Sequence, residues 1–356
     1  MDYKLQMKNL LDIAIKSNAS DLHISCGHPP ILRVSTVLVE VEGEPVITPA
    51  VAQGLVLSVL NENQQQQLFK EREIDFAYNI DSIARFRVNA FFQSNMLSMA
   101  MRLIPSRIRT IEELNLPPVL YKFTRAKQGC VLITGATSQG KSTTLAALID
   151  EINHTRREHI ITIEHPIEYV FQDDKSIIDQ REVYQDTLSF AKALRSTLRE
   201  DPNVIMVGEM RDFETIATAI TAAETGHLVF ATLHTNSASQ TIHRIIDVFP
   251  PHQQSQIRAQ LASSLLGVVA QRLIPRIDDG FIPACEIMLV NPAIANLVRE
   301  DKIHEIPAII ETSAKQGMIS MNQSLSDLVR AKQVSKETAV IYSLSPEDLE
   351  ARLKSI

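Results

Sequence analysis

Residues 135–142 read Gly135-Ala136-Thr137-Ser138-Gln139-Gly140-Lys141-Ser142, a full match to G-x-x-x-x-G-K-[S/T]. That spacing suits phosphate oxygens. Glycines let backbone N–H groups curl around an anion, and Lys141 sets an ammonium against the β- and γ-phosphates. The Ser142 hydroxyl is placed for Mg²⁺, and a helix starting there adds its positive N-terminal end. The context agrees: the apolar run Cys130-Val131-Leu132-Ile133-Thr134 precedes the motif and good helix formers, Leu145 to Leu148, follow it. Residues Gly135 to Ser142, with Thr143, are therefore expected to hold the phosphates of a nucleoside triphosphate.

Phosphoryl transfer also needs a carboxylate to activate water, a second to assist at the metal shell, and a donor that senses the γ-phosphate. Candidates stand at the ends of apolar segments. Glu164 follows His159–Ile163, Glu209 follows Val204–Val207, and His234 follows Leu228–Leu233. Ligands of open α/β sheets gather at the carboxyl ends of strands, so these groups face the nucleotide if their strands lie beside the phosphate-loop strand. Glu209 closes the most apolar strand and is assigned as the catalytic carboxylate. Either glutamate could instead be a surface ion-pair partner. A zinc reading of His227 and His234 is weak, since seven positions along a strand point to opposite faces. Arg85 and Arg87 share a strand face and Arg102 sits on the neighbouring strand, a cation cluster able to complete a phosphate site or simply a set of solvated arginines.

These residues need elements to hold them. Continuous apolar runs at 130–134, 159–163, 204–207 and 228–233 predict buried parallel strands. Helical stretches at 142–151, 188–199 and 212–225 alternate with them, the pattern of a doubly wound α/β sheet. The first 110 residues differ. They mix helices at 5–14 and 49–60 with strands at 31–34, 37–41, 86–92 and 97–104, and Gln64 to Gln67 reads as a solvated helix face. Pro105, Pro117 and Pro118 mark a boundary, and beyond Pro292 the pattern is purely helical. The resulting division is 1–112, 113–291 and 292–356.

Composition narrows the class. The chain has 356 residues, 45% of them hydrophobic and 22% charged, which supports packed cores. Lys and Arg number 35 against 42 Asp and Glu, a net charge of −7 that disfavours a nucleic-acid partner and a DNA enzyme built on the same core. Cys26, Cys130 and Cys285 lie too far apart for a disulfide framework or a Cys-x-x-Cys metal site. The polar N-terminus is not a secretory signal, and no apolar run approaches the ~20 residues that span a bilayer. A soluble protein of a reducing compartment is expected, with any membrane contact peripheral.

As a set, these motifs resemble the PilT-type retraction ATPases of type IV pili, within the wider secretion ATPase superfamily. The markers are Ala19-Ser20-Asp21-Leu22-His23, the phosphate loop, Ile163-Glu164-His165-Pro166-Ile167-Glu168-Tyr169, Gln180-Arg181-Glu182-Val183, Val207-Gly208-Glu209-Met210-Arg211-Asp212, and the histidine box from Thr225 to Asn236. The resemblance spans nearly the whole chain. It implies a PAS-like N-terminal α/β domain joined to a RecA-like P-loop ATPase domain and a helical C-terminal region, assembled as a homohexameric ring. It implies ATP and Mg²⁺ as ligands, with ATP between domains, Glu209 catalytic, Glu164 assisting, and Arg87 and Arg102 at the phosphates. The ring would sit at the cytoplasmic face of the inner membrane, act on a platform protein of the PilC kind, and return pilin to the membrane. Assembly and secretion ATPases of the superfamily typically carry a longer N-terminal region and often a four-cysteine zinc insert, so retraction is preferred over them. A non-hydrolysing ring subunit that binds ATP and regulates a sister motor stays the alternative, which the altered loop and His165 keep open. The chain departs from the family at Ala136, Ser138 and Gln139 (usually Pro, Gly and Ser), at His165 (usually Asp), and at Ala295 (usually Arg) within Ala293 to Glu300.

Overall fold

The computed structural model describes residues 2–34, 37–80, 84–104 and 107–354. They fall into two compact units, Met1–Arg107 with Pro166–Val170, and Ile108–His165 with Phe171–Ile356. Pro105, one of the expected boundary prolines, lies outside the described residues. Pro117 is extended and Pro118 opens a short 3₁₀ turn.

In the first unit, helix α1 (Tyr3–Lys16) starts where the Asp2 carboxylate accepts from the N–H groups of Lys4 and Leu5, both at 3.1 Å. Its inward face is Met7, Leu10, Leu11 and Ala14. Strands β1 (Asp21–Ile24), β2 (Ile31–Val34) and β3 (Val37–Glu40) lead to helices α2 (Pro49–Ser58) and α3 (Glu62–Glu71). Strands β4 (Glu73–Ile80), β5 (Ala84–Gln93) and β6 (Met96–Ile104) complete a six-stranded antiparallel sheet in the order β3-β2-β1-β6-β5-β4. The glutamine run contributes to its own helix, because Gln64 and Asn61 form a reciprocal capping box at the start of α3. Alternation along β5 buries Phe86, Val88 and Ala90 and turns Arg85, Arg87 and Asn89 to the other face.

In the second unit, seven strands run β7 (Gly129–Thr134), β8 (His159–Glu164), β9 (Ile177–Glu182), β10 (Val204–Val207), β11 (Leu228–Leu233), β12 (Leu265–Pro275) and β13 (Phe281–Leu289). The helices are α4 (Tyr121–Thr124), α5 (Lys141–Thr155), α6 (Phe190–Thr197), α7 (Phe213–Glu224), α8 (Ala238–Asp247) and α9 (Pro251–Ser264), followed by α10 (Pro292–Arg299), α11 (Ile306–Thr312), α12 (Met321–Arg330), α13 (Lys336–Tyr342) and α14 (Pro346–Lys354). The sheet order is β13-β12-β7-β11-β10-β8-β9; only the β12–β13 pair is antiparallel. All residues of β7, β10 and β11 are buried, as their unbroken apolar sequences predict. Leu132, Ile163, Ile205, Val229 and Ala231 form the centre of the main core.

The four predicted parallel strands are present; three further strands flank them. Strand β9 (Ile177-Ile178-Asp179-Gln180-Arg181-Glu182) is an edge strand with too many polar residues to read as a buried run. Gly267, Gln271 and Arg272 break the pattern of β12, and Pro283 sits within β13, which its place at the sheet edge permits. Helices dominate beyond Pro292, with Ile319 making one antiparallel bridge back to Ile287.

Cys130 and Cys285 are fully buried, and burial pushes each thiol up to about 12, whereas Cys26 is partly accessible. Thiolate is the reactive form. Titration of the native protein with a disulfide reagent at neutral pH is therefore expected to label Cys26 alone, the other two reacting only in denaturant.

Candidate active site at the strand C-termini

The parallel register brings the ends of four strands side by side. Strand β11 pairs with β7 along its whole length, β10 pairs with β11, and β8 pairs with β10. The phosphate loop, His234, Glu209 and Glu164 thus stand in sequence along one rim of the sheet. This is the arrangement that the strand-end argument requires.

The loop between β7 and α5 turns through left-handed backbone at Gly135 (φ 148°), Ser138 (φ 62°) and Gly140 (φ 77°). A β-carbon on Gly135 would lie 2.5 Å from the Gln271 carbonyl oxygen of β12, so that position admits only glycine. Ser138 occupies a conformation that disfavours L side chains by about 1–2 kcal/mol. Helix α5 begins at Lys141 with Gly140 as its N-cap and no side-chain capping bond. In contrast, α6, α7 and α8 are capped by Ser189, Asp212 and Ser237. Helix α5 thus presents its positive N-terminal end at the loop without a capping side chain in front of it.

Lys141 is 9% exposed, and its ammonium donates to the carbonyl oxygens of Gly135 (2.9 Å) and Ala136 (2.8 Å). Its Nζ also lies 3.5 Å from Nδ1 of His234, whose Nε2 is 3.1 Å from the Glu209 carboxylate. The imidazole thus bridges the ammonium and the carboxylate through its two ring nitrogens. The Arg211 guanidinium closes on the same Glu209 oxygen. Burial alone would raise the Glu209 carboxyl, but the hydrogen bond and charge of Arg211, then His234, outweigh it and hold the group below its ordinary 4.5.

The turn carrying Glu209 is clamped from both sides. The Gly208 N–H donates to the Ile163 carbonyl of β8 (2.7 Å), and the Met210 N–H donates to the Thr232 carbonyl of β11 (3.0 Å). The Thr232 hydroxyl donates to the Gly208 carbonyl. A β-carbon on Gly208 would press to 3.3 Å from the Glu164 Cα, so the glycine lets the two glutamate-bearing segments approach. Asp212, in the same motif, caps α7 by accepting from the N–H (2.8 Å) and hydroxyl (2.7 Å) of Thr215.

Glu164 is 7% exposed and accepts from the hydroxyl of Thr162 (2.7 Å) and the amide of Gln180 (3.1 Å). Beside it, the His165 ring stands edge-on to Tyr184, with centroids 5.0 Å apart. His227 precedes β11 with Nδ1 2.9 Å from the Ala222 carbonyl, a structural contact at the end of α7. A cleft of about 830 Å³ reaches Glu209 and His234 from the side of α8, with His243 and Arg244 in its wall.

Arg87 and Arg102 belong to the first unit. They are direct cross-strand partners on β5 and β6, and the same row continues through Asp21 on β1 to Arg33 on β2. Arg102 Nε donates to the buried Asp21 carboxylate at 2.9 Å while its side chain stays 65% exposed. Arg33 approaches the other Asp21 oxygen at 3.9 Å.

The donor set suits a magnesium ion that arrives on a nucleotide. Such ions take few protein oxygens and complete their shell with phosphate and water. The Ser142 hydroxyl at the first turn of α5, with carboxylates on neighbouring strand ends, fits that demand. Among the described residues no cluster of three His, Cys, Asp or Glu side chains forms a metal cage.

Gln271, Thr232 and the role of Arg211 are not legible in the sequence alone. Gln271 lies in an unpredicted strand, Thr232 reads as one more residue of an apolar run, and Arg211 acts through a neighbour two positions away.

A family model described as type II/IV secretion system protein matches residues 3–339. The type IV pilus retractation ATPase PilT of Pseudomonas aeruginosa is 44% identical over 344 residues, covering 97% of this chain and 100% of that protein. A twitching motility protein of Neisseria gonorrhoeae is 49% identical over 287 residues, 80% of this chain and 77% of its own. The crystal structure of the pilus retraction motor PilT with bound ADP superposes with a TM-score of 0.91 at 44% identity, covering 96% of this chain and 98% of that one.

Because the Glu209 carboxyl is held below its ordinary value, it stays ionised further into acid than an unpaired glutamate. Arg211→Ala removes the main opposing charge. The acid limb of the pH profile of phosphate release is expected to move to higher pH in that variant, whereas an unmoved limb would separate Arg211 from Glu209.

Proposed function

This chain belongs to the type II/IV secretion system protein family, and from that premise we propose that it is a motor ATPase driving type IV pilus retraction. The observation that carries the reading is the contact series Lys141–His234–Glu209, which joins the phosphate loop to a catalytic carboxylate. Its setting is a chain aligned over 97% of its length with a pilus retraction ATPase.

The residues divide the hydrolysis of ATP as follows. Backbone N–H groups from Gly135 to Thr143 bind the phosphates, and Lys141 adds its charge to the β- and γ-oxygens. Glu209 orients a water molecule for in-line attack on the γ-phosphorus and takes its proton as the bond to the β-phosphate oxygen breaks. Its depressed affinity for protons keeps it ionised and suits it first to orienting the water. Glu164 supports this from the adjacent strand end. His234 touches both Lys141 and Glu209, so movement of either when the γ-phosphate leaves is felt by the other. The Ser142 hydroxyl would hold in part a Mg²⁺ that arrives with the nucleotide, and that ion would supply charge neutralisation at the phosphates.

We infer that the working form is a homohexameric ring and that Arg87 and Arg102 meet the phosphates of a neighbouring subunit's nucleotide. The exposed guanidinium of Arg102, oriented by Asp21, supports this reading. The ring would act on a PilC-like platform protein at the cytoplasmic face of the inner membrane, which then returns pilin to the membrane. Among the described residues no helix is long and apolar enough to cross a membrane. Nucleic acid is not an expected partner.

Glu209→Gln is expected to retain nucleotide while lowering phosphate release on the order of 10²–10⁴-fold, the range for losing a general base. Phosphate release at the wild-type rate would remove Glu209 from catalysis. Arg102→Ala is expected to lower turnover on the order of 10²-fold with the oligomer intact by light scattering. Unchanged kinetics would return Arg102 to an ion pair of the sheet surface.

A further inference from the structure

The phosphate loop has a serine at a left-handed position where relatives of the resembled family usually carry glycine, and the residue beside it is equally atypical. Ser138 has φ 62° and Gln139 follows. The backbone carbonyl of Gln139 accepts from Nε2 of Gln271 at 2.7 Å, and its side-chain Oε1 accepts from the backbone N–H of Leu273 at 2.7 Å. Gln271 is 3% exposed, and its remaining amide oxygen accepts from the hydroxyl of Thr144 on α5 at 2.7 Å. Both ends of the loop also abut the same strand. A β-carbon on Gly135 would meet the Gln271 carbonyl at 2.5 Å, and one on Gly140 would meet Gln271 Nε2 at 2.9 Å. One residue of β12 thus touches the start, the crest and the exit of the loop.

We propose that Gln139 and Gln271 are positioning residues for nucleotide binding, forming a clasp that fastens the crest of the phosphate loop to β12 and holds Ser138 in its left-handed conformation. The inference rests on the phosphate-loop reading above. Two bonds, one to the backbone carbonyl and one to the side-chain oxygen of Gln139, anchor the loop just after Ser138, so the strained residue is not free to relax toward right-handed backbone. Relaxation there would turn the N–H groups of the crest away from the phosphates. A short side chain at position 139 would not reach the Leu273 N–H, so the long amide of Gln139 is what makes the atypical residue at 138 workable.

The test is a double-mutant cycle on the full chain in its assembled form, read as the dissociation constant of a fluorescent ADP analogue. Gln139→Ala is expected to weaken binding about five- to tenfold, the loss that accompanies one hydrogen bond. In the Ser138→Gly background, where the left-handed backbone needs no support, the same change is expected to weaken it less than twofold. Equal losses in both backgrounds would mark Gln139 as an ordinary structural contact, and no loss in the first would remove the clasp; either overturns the proposal. Gln271→Ala should weaken binding at least as much as Gln139→Ala. If that variant fails to fold, the Gln139 cycle alone decides. Lys141→Ala serves as the control for the underlying reading. Normal ADP binding by it would overturn the phosphate loop itself, whereas loss of binding there with a flat Gln139 cycle would overturn only the clasp.

Discussion

Charged side chains at the mouth of a close-packed parallel sheet must find partners, because burying an unpaired charge is strongly unfavourable. Lys141 and Glu164 are 9% and 7% exposed, and each is tied in by short hydrogen bonds. Lys141, His234, Glu209 and Arg211 form a contact series of ammonium, imidazole, carboxylate and guanidinium across two adjacent strand ends and the loop beside them. Each member fixes the next. The same pairing that makes the burial tolerable also keeps Glu209 ionised and aimed at the loop.

Around that series the strands act as clamps. The Glu209 turn is hydrogen-bonded to β8 on one side and β11 on the other. Strand β12 does the same for the phosphate loop through Gln271. Motif residues therefore divide between chemistry and support, and Asp212 is an instance of the second, since its carboxylate is spent on capping α7. The departures from the family pattern find local physical roles. His165 packs its ring against Tyr184 where a carboxylate would have no such contact. Ala295 faces inward on α10 with Ile294, Leu297 and Val298, an environment that suits a methyl group better than a guanidinium.

The first unit has its own version of the pairing rule. A row of Arg33, Asp21, Arg102 and Arg87 crosses four strands of the antiparallel sheet, with one carboxylate between two guanidinium groups. With the Arg102 side chain exposed above the buried Asp21 carboxylate, solvent screening limits what this pair contributes to stability. Its effect is directional, holding a long cationic side chain in one orientation above the sheet.

Local sequence was enough for the phosphate loop, for the buried strands at 130–134, 159–163, 204–207 and 228–233, and for Glu164, Glu209 and His234 at their ends. Such features are written in contiguous residues: apolar runs, glycine spacing, a polar group where a run stops. Cross-strand hydrogen bonding decided the rest. That Gln271 grips the loop 132 positions earlier and that Arg87 lies directly opposite Arg102 depend on register between segments distant in the chain. Strands β9, β12 and β13 escaped notice because at least one edge or face of each accommodates polar residues, so their identity as strands exists only once neighbours supply the hydrogen bonds.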